Sequence, residues 1–144
     1  MTTTEKLVLF ICTANYYRSR FAEAVFNHAA KRDRSDWRAV SRGLATYLVN
    51  QDISYNTAIA LQNRGINPGN TSPTASQLTE VDLEKADLLI ALSDEEHRPM
   101  IDQMYPEWVD RITYWEIPDM DVLAPSEALP MVEEKVMNLL EEIT

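Results

Sequence analysis

Cysteine is almost absent from this chain, because Cys12 is the only one among its 144 residues. A single cysteine excludes an intramolecular disulfide and a zinc site built from several cysteines, and it is typical of a reducing compartment. We therefore expect a cytoplasmic location, and we expect neither a metal nor a cofactor. Cys12 itself is either an inert packing residue or a reactive one.

Positive charge is also scarce, with 13 Lys and Arg residues against 23 Asp and Glu residues and a formal net charge of -10. Such a chain repels a polyanion on average, and no cluster of basic residues offsets the repulsion. The apolar stretch near the N-terminus, residues 7–12, is too short for a membrane span or a secretory signal. We expect a soluble, unprocessed protein that binds neither nucleic acid nor membrane and is a monomer or weak dimer.

The length of the chain predicts one domain that covers residues 1–144. Continuous apolar runs predict strands at residues 7–11 and 88–92, and residues 37–41 and 112–117 are two further strand candidates. Apolar spacing and capping signals predict four helices. The first starts at residue 19, the second covers residues 53–64, the third starts with a capping box at residues 93–96, and the fourth covers residues 129–143. Gly65 stands where a left-handed cap is usual, and Pro130 is expected in the first turn of the last helix. The alternation predicts a doubly wound α/β fold, with a four-stranded parallel sheet and helices on both faces.

The segment between the first strand and the first helix, residues 12–19, has the properties of a phosphate-binding loop. Such a loop directs its N–H groups and the positive end of the helix dipole towards a bound anion. The same dipoles and the Arg18 guanidinium favour a Cys12 thiolate, which is a competent nucleophile. The planar fork of Arg18 can bind two phosphoryl oxygens, and Ser19 can donate its hydroxyl to the thiolate. Asn15 is a residue type that tolerates the left-handed conformation of a tight loop.

Four segments of the chain resemble one family. The sequence LFICTANYYRSRFAE at residues 9–23 is similar to the N-terminal signature of the low-molecular-weight protein tyrosine phosphatases, a group that also includes protein arginine phosphatases and arsenate reductases. Three later segments resemble the family in the same order: SRG at residues 41–43, ADLLIALSD at residues 86–94 and WEIPD at residues 115–119. The resemblance implies a phosphatase that acts on a phosphorylated protein or a small aryl phosphate.

The resemblance also implies roles for individual residues. Cys12 attacks phosphorus and forms a phosphocysteine, and Arg18 binds the phosphate with the backbone amides of the loop. Asp119 protonates the leaving oxygen and then activates water, with Asp121 as the rival candidate. Tyr47 occupies the position of an aromatic wall of the substrate slot. Phosphate or substrate binding is implied for the loop residues Thr13, Ala14, Asn15, Tyr16, Tyr17 and Ser19.

The chain departs from the family pattern at several positions. Tyr17 stands where most members have a second cysteine, so an oxidised Cys12 has no internal thiol to react with. Ala14 replaces a glycine, and Met120 replaces a proline after the acid. Arg20 replaces a proline and places a charge at the helix start that could attract an acidic substrate. The bulky ring of Tyr16 argues against phosphoarginine as a substrate.

Two alternative functions stay open at this point. An arsenate reductase that uses an external thiol is compatible with a single cysteine, whereas one that relies on a relay of internal cysteines is excluded. A phosphate-binding or phosphoprotein-binding module with little catalytic activity is the other alternative. His28 and His97 have no evident acid or metal partner in the sequence, and we interpret both as ordinary surface or helix-face residues.

Overall fold

The computed structural model describes residues 5–49 and 53–144. Its centre is a sheet of four parallel strands in the order β2-β1-β3-β4, with β1 at Lys6–Cys12, β2 at Trp37–Gly43, β3 at Leu88–Ala91 and β4 at Thr113–Tyr114. Strand β1 lies between β2 and β3, and its register places Cys12 opposite Gly43. The predicted α/β fold with a four-stranded parallel sheet is therefore confirmed.

Helices cover both faces of this sheet. They are α1 at Arg18–Arg32, α2 at Tyr55–Asn63, α3 at Glu80–Lys85, α4 at Asp94–Met104 and α5 at Pro125–Ile143, together with short 3-10 turns at Thr46–Leu48, Pro68–Asn70 and Pro106–Arg111. Helix α2 begins after Ser54, whose hydroxyl accepts the Thr57 N–H at 3.2 Å. Beyond its end, Gly65 has the left-handed φ of 67° that was predicted for a cap.

The two faces are covered because β1 buries alternate side chains in two separate cores. Val8 and Phe10 belong to the core that α1, α2 and α5 contribute to, and the Phe10 ring lies 5.7 Å from that of Trp115. Leu9 and Ile11 belong to the core on the other face, which includes residues of α3 and α4. Each fully buried apolar side chain of this size contributes roughly 1.5–3 kcal/mol. Cys12 thus ends a strand that packing holds rigidly on both sides.

Three details differ from the predicted elements. Helix α3 was not predicted, and its six residues begin at a capping box of Thr79 and Asp82. Strand β4 contains only two residues, because its parallel ladder with β3 ends at Tyr114 and residue 116 pairs with Ser93 in an antiparallel bridge. Helix α5 begins at Pro125 rather than near Leu129, so the placement of Pro130 in the first turn was wrong. Within the described ranges, none of the helices has the length and apolar character needed to cross a membrane.

Candidate active site

Cys12 is the last residue of β1 and Arg18 the first of α1, so residues 13–17 form the loop between them. The Cys12 side chain is almost fully buried, and its Sγ atom lies 2.8 Å from Ser19 Oγ. The Asn15 side-chain amide donates to the same Ser19 oxygen at 3.0 Å. Since this bond uses a lone pair of the oxygen, the Ser19 hydroxyl proton is left for the sulfur. Ser19 is thus placed to donate to a Cys12 thiolate.

Asn15 sits at the centre of the loop in the left-handed conformation, with a φ of 55°. Its Oδ1 accepts the Ser76 N–H at 2.7 Å, and its Nδ2 donates to Ser41 Oγ at 2.9 Å as well as to Ser19. Its backbone carbonyl accepts from Arg20 Nη1 at 3.3 Å. These bonds tie the loop to β2, to α1 and to the segment before α3, and they hold the loop in one conformation.

The loop packs directly against Gly43 at the end of β2. A Cβ atom on Gly43 would lie 2.8 Å from the Asn15 backbone nitrogen and 2.9 Å from the Ala14 carbonyl carbon. Both atoms belong to the backbone of the loop, so neither can move aside cheaply. Only glycine therefore allows the loop its observed position next to β2.

Arg18 is the cation of the loop, and only 2% of its side chain is exposed. Its Nη1 donates to Glu96 Oε1 at 3.1 Å and to the Ile117 carbonyl at 2.9 Å, and its Nη2 donates to Glu96 Oε2 at 2.8 Å. Its Nε has no hydrogen-bond partner in the described part of the chain. Of the five N–H donors of a guanidinium, the Nε–H and one Nη2–H thus remain, and these two lie side by side on one edge. That edge fits two oxygens of a phosphate.

Glu96 and His97, at the start of α4, also contact the loop. Glu96 N–H donates to Ser93 Oγ at 3.3 Å, but the other half of the predicted capping box is absent, because Ser93 N–H bonds to His97 Nδ1 at 3.1 Å. The Glu96 carboxylate instead binds Arg18 and accepts the Thr13 hydroxyl. His97 Nε2 lies 3.1 Å from both Glu96 Oε2 and Thr13 Oγ1. The interpretation of His97 as a residue without an acid partner was therefore wrong.

The charges of this cluster follow from burial and hydrogen bonding. Burial raises the pKa of the Glu96 carboxyl, but the hydrogen bonds from His97 and Arg18 outweigh burial and hold this pKa well below its usual range. Burial lowers the pKa of His97, and since its Nδ1 accepts a backbone N–H, its single proton is on Nε2. Burial also opposes the charge of Arg18, but Glu96 raises the pKa of Arg18 above its ordinary value. The cluster thus contains a guanidinium cation, a carboxylate and a neutral imidazole.

Asp119 lies beside the open edge of Arg18. Its Oδ2 is 3.6 Å from Arg18 Nη2, and its Oδ1 accepts the Met120 N–H at 2.8 Å. The side chain is partly exposed, in a turn where the Asp119 carbonyl accepts the N–H groups of Val122 and Leu123 at 2.9 and 3.0 Å. Asp121, the rival acid, is exposed and forms no ion pair with the described residues. The structure therefore brings Asp119, and not Asp121, into contact with Arg18.

The tyrosines predicted to bind substrate occupy three different environments. Tyr16 is half-buried against the core, and its carbonyl accepts the Ser54 N–H at 2.7 Å. Tyr17 is buried, and burial raises its pKa to about 12. Tyr47 is 82% exposed in the 3-10 turn after β2, a turn joined to the loop by a bond from Ala45 N–H to the Thr13 carbonyl at 2.7 Å. The structure places Tyr47 near the loop but brings its ring into no contact with Cys12.

Arg20 contributes to the interior rather than to the surface. Its Nε donates to Thr71 Oγ1 at 2.6 Å, and its Nη2 donates to the Ser72 carbonyl. Glu23 lies in the same buried network and accepts from Ser41 at 2.8 Å and from Thr71 at 2.5 Å. Burial raises the pKa of Glu23 against the effect of these bonds. The expectation that Arg20 attracts an acidic substrate was wrong, because its side chain is buried.

An open cleft of about 680 Å³ lies between the first turn of α4 and residues 116–122. Five of the residues that line it are acids: Glu95, Glu96, Glu116, Asp119 and Asp121. None of its lining residues is basic. A substrate that reaches the Arg18 edge from this side therefore meets a strongly negative surface.

Residues 7–144 match the family model described as low molecular weight phosphotyrosine protein phosphatase. A protein of that description from chicken, Gallus gallus, is 28% identical over 97 residues. This match covers 66% of the present chain and 60% of the chicken protein, so it spans less than two thirds of that relative.

Solved structures have the same fold. The low molecular weight protein tyrosine phosphatase from T. tengcongensis superposes with a TM-score of 0.81 and 27% identity, over 96% of this chain and 99% of that one. A mutant of the YwlE arginine phosphatase, whose active-site serine is phosphorylated, superposes with a TM-score of 0.76 and 21% identity. That match covers 95% of both chains, and its low identity supports the fold alone.

Proposed function

Because the chain belongs to the low molecular weight phosphotyrosine protein phosphatase family, as its sequence predicted, we propose that it hydrolyses phosphotyrosine or another aryl phosphate monoester through a phosphocysteine. One observation carries the proposal. The Cys12 sulfur ends β1 in contact with Ser19, while the buried Arg18 beside it has an Nε–H that no described residue accepts and that can bind a phosphate oxygen together with the neighbouring Nη2–H. The proposal treats residues 1–144 as a single phosphatase domain without metal or cofactor.

The first half of the reaction transfers the phosphoryl group to the enzyme. The Arg18 edge and the backbone N–H groups of residues 13–18 bind the phosphate oxygens, so the developing negative charge is stabilised. The Cys12 thiolate attacks phosphorus, the bond to the aryl oxygen breaks, and Asp119 gives its proton to that departing oxygen. Asp119 is proposed for this role, and not Asp121, because it lies 3.6 Å from Arg18.

The second half returns the enzyme to its starting state. Asp119, now a carboxylate, takes a proton from a water molecule whose oxygen attacks phosphorus. The bond between phosphorus and sulfur breaks, phosphate leaves, and the Cys12 thiolate is restored. Ser19 favours this step, because its hydroxyl can donate to the sulfur as negative charge returns to it.

The substrate slot is proposed to lie around the loop. Tyr16 and Tyr47 are the candidate aromatic walls, and a phosphorylated tyrosine ring could stack against either of them. Thr13, Ala14 and Tyr17 contribute backbone amides to phosphate binding. The proposed substrates are a phosphorylated protein or a small aryl phosphate.

Hydrolysis of p-nitrophenyl phosphate tests the proposal. Cys12→Ser should abolish turnover, and Asp119→Asn should reduce kcat by about 100-fold or more, within the range of general acid catalysis. Asp121→Asn is the matched control and should retain most of the activity. Rapid quenching should trap phosphate on Cys12 in the wild-type protein. Normal turnover by Cys12→Ser would refute the proposal.

A second candidate is a protein arginine phosphatase. The acidic cleft favours it, because five carboxylates suit a cationic leaving group. The bulk of Tyr16 opposes it on steric grounds. A comparison of kcat/KM for phosphotyrosine and phosphoarginine peptides decides between the two substrates. Arsenate-dependent consumption of an external thiol tests the arsenate reductase alternative in the same preparation.

A further inference from the structure

Glu96 makes an unusual set of contacts for a residue in the first turn of a helix. Both of its carboxylate oxygens accept from Arg18, and Oε2 also accepts from Thr13 and lies 3.1 Å from His97 Nε2. His97 is buried and is fixed in turn by the Ser93 N–H. Glu96 therefore joins α4 to both ends of the phosphate loop.

The orientation of Arg18 depends on this carboxylate. Glu96 takes the terminal edge of the guanidinium, formed by one N–H of Nη1 and one of Nη2, and the Ile117 carbonyl takes the other Nη1 proton. Without Glu96, the guanidinium would keep only the hydrogen bond to the Ile117 carbonyl. A single hydrogen bond does not fix the orientation of a planar group. With Glu96, three hydrogen bonds fix the guanidinium in one orientation before any phosphate arrives.

The same contacts permit an opposite role. A carboxylate that binds a guanidinium at two points imitates two phosphate oxygens, so Glu96 could compete with substrate for Arg18. Geometry favours positioning, because Glu96 takes the terminal edge, while the Nε–H on the other edge has no hydrogen-bond partner among residues 5–49 and 53–144. Competition would instead require the carboxylate on the edge that phosphate uses.

We propose that Glu96, which is fixed by His97 and Thr13, is a positioning residue. It holds the Arg18 guanidinium in the orientation that the transition state requires. The inference rests on the proposed phosphatase function. Glu96 does not contact the substrate in this proposal and acts only through Arg18. Its effect should therefore be greater in the transition state, where the oxygens must align with the fork, than in the binding of ground-state phosphate.

Three variants test this role: Glu96→Ala, Glu96→Gln and the control Asp102→Asn. Asp102 is an exposed acid on the same helix, so its variant makes the same change of charge away from the site. Glu96→Ala should lower kcat for p-nitrophenyl phosphate by about 10- to 100-fold with a smaller change in KM. Glu96→Gln should fall between Glu96→Ala and wild type, because its amide oxygen keeps one bond to Arg18. The control should match wild type.

Calorimetric titration provides a readout that does not require turnover. Orthovanadate mimics the transition state and inorganic phosphate mimics the ground state, so Glu96→Ala should weaken vanadate binding several-fold more than phosphate binding. Equal weakening of both ligands, or a gain in phosphate affinity and kcat/KM, would overturn the positioning role. Circular dichroism confirms that each variant is folded. A wild-type protein that binds both ligands without hydrolysis would refute the phosphatase proposal while leaving the role of Glu96 in binding testable.

Discussion

The Ser19 hydroxyl lies 2.8 Å from the Cys12 sulfur and is oriented by the Asn15 amide, so it can stabilise negative charge on that sulfur. Ser19→Ala removes a hydrogen bond to a charged group, which contributes about 1.5–3 kcal/mol. We expect kcat for p-nitrophenyl phosphate and the rate of Cys12 alkylation by iodoacetamide to fall by roughly tenfold or more. Ser126→Ala, at an exposed serine, is the control. Unchanged alkylation in Ser19→Ala would show that the contact does not stabilise a thiolate.

The acidic cleft predicts an unusual dependence on salt. An aryl phosphate dianion is repelled by the carboxylates of the cleft other than Asp119, which holds a proton in the proposed first step, and by a net charge of -10. Raising NaCl from about 0.01 M to about 0.1 M shortens the Debye length from about 30 Å to about 10 Å. The KM for p-nitrophenyl phosphate should therefore fall, whereas the KM for a phosphotyrosine peptide flanked by lysines should rise. A rise in KM for both substrates would contradict this electrostatic account.

Much of the fold followed from local patterns in the sequence. The uninterrupted apolar run of β1 predicts a strand buried on both faces, and the structure places its alternate residues in two cores. The polar segment between a predicted strand and a predicted helix indicated the loop, and the structure places five residues, 13–17, between the end of β1 and the start of α1. Strand β4 was predicted too long because residue 116 pairs with Ser93 in an antiparallel bridge instead of continuing the ladder with β3, and an apolar pattern does not record this change.

The contacts of Glu96 and Arg20 could not be predicted in the same way. Glu96 follows Ser93 at the spacing of a capping box, and only the long-range bond to Arg18 reveals a different use of its carboxylate. The strand order does indicate that Glu96 lies near Cys12. Strand β3 is next to β1 and parallel to it, so the first turn of α4, which follows β3, lies at the same edge of the sheet as Cys12. Arg20 is buried by a loop about fifty residues later in the chain, which contributes Thr71.

The depressed pKa of Glu96 predicts how stability depends on acid. A carboxyl whose pKa is lower in the folded state stabilises the protein fully above its unfolded pKa of about 4.3, and this contribution is lost as the pH falls below that value. Glu23 acts in the opposite sense, because its pKa is raised by burial and it favours the folded state as the pH falls. The effect of Glu23 is confined to the pH range above its unfolded pKa, whereas that of Glu96 lies below about pH 4.3, so stability should fall on acidification below that value.

Urea unfolding between pH 3 and pH 7 measures this dependence. Glu96→Gln should make the free energy of unfolding less dependent on pH in the acidic range, and it should lower that free energy at pH 7. Glu95→Gln, at an exposed neighbour on the same helix, should keep the wild-type dependence. An unaltered acid dependence in Glu96→Gln would mean that its carboxylate is not stabilised by Arg18 and His97.

The buried Tyr17 hydroxyl predicts a stabilising substitution. It has no hydrogen-bond partner in residues 5–49 and 53–144, and an unpaired buried hydroxyl costs about 1–3 kcal/mol. Tyr17→Phe keeps the packed ring and removes this cost, so the free energy of unfolding in urea should rise by about 1 kcal/mol. Tyr55→Phe, at a tyrosine that is 75% exposed, should change it by less than about 0.5 kcal/mol. A loss of stability in Tyr17→Phe would mean that the hydroxyl is paired in solution. Because the Tyr17 amide is kept, phosphatase activity should persist, and an unchanged kcat/KM for p-nitrophenyl phosphate would show that the hydroxyl is dispensable for phosphate binding.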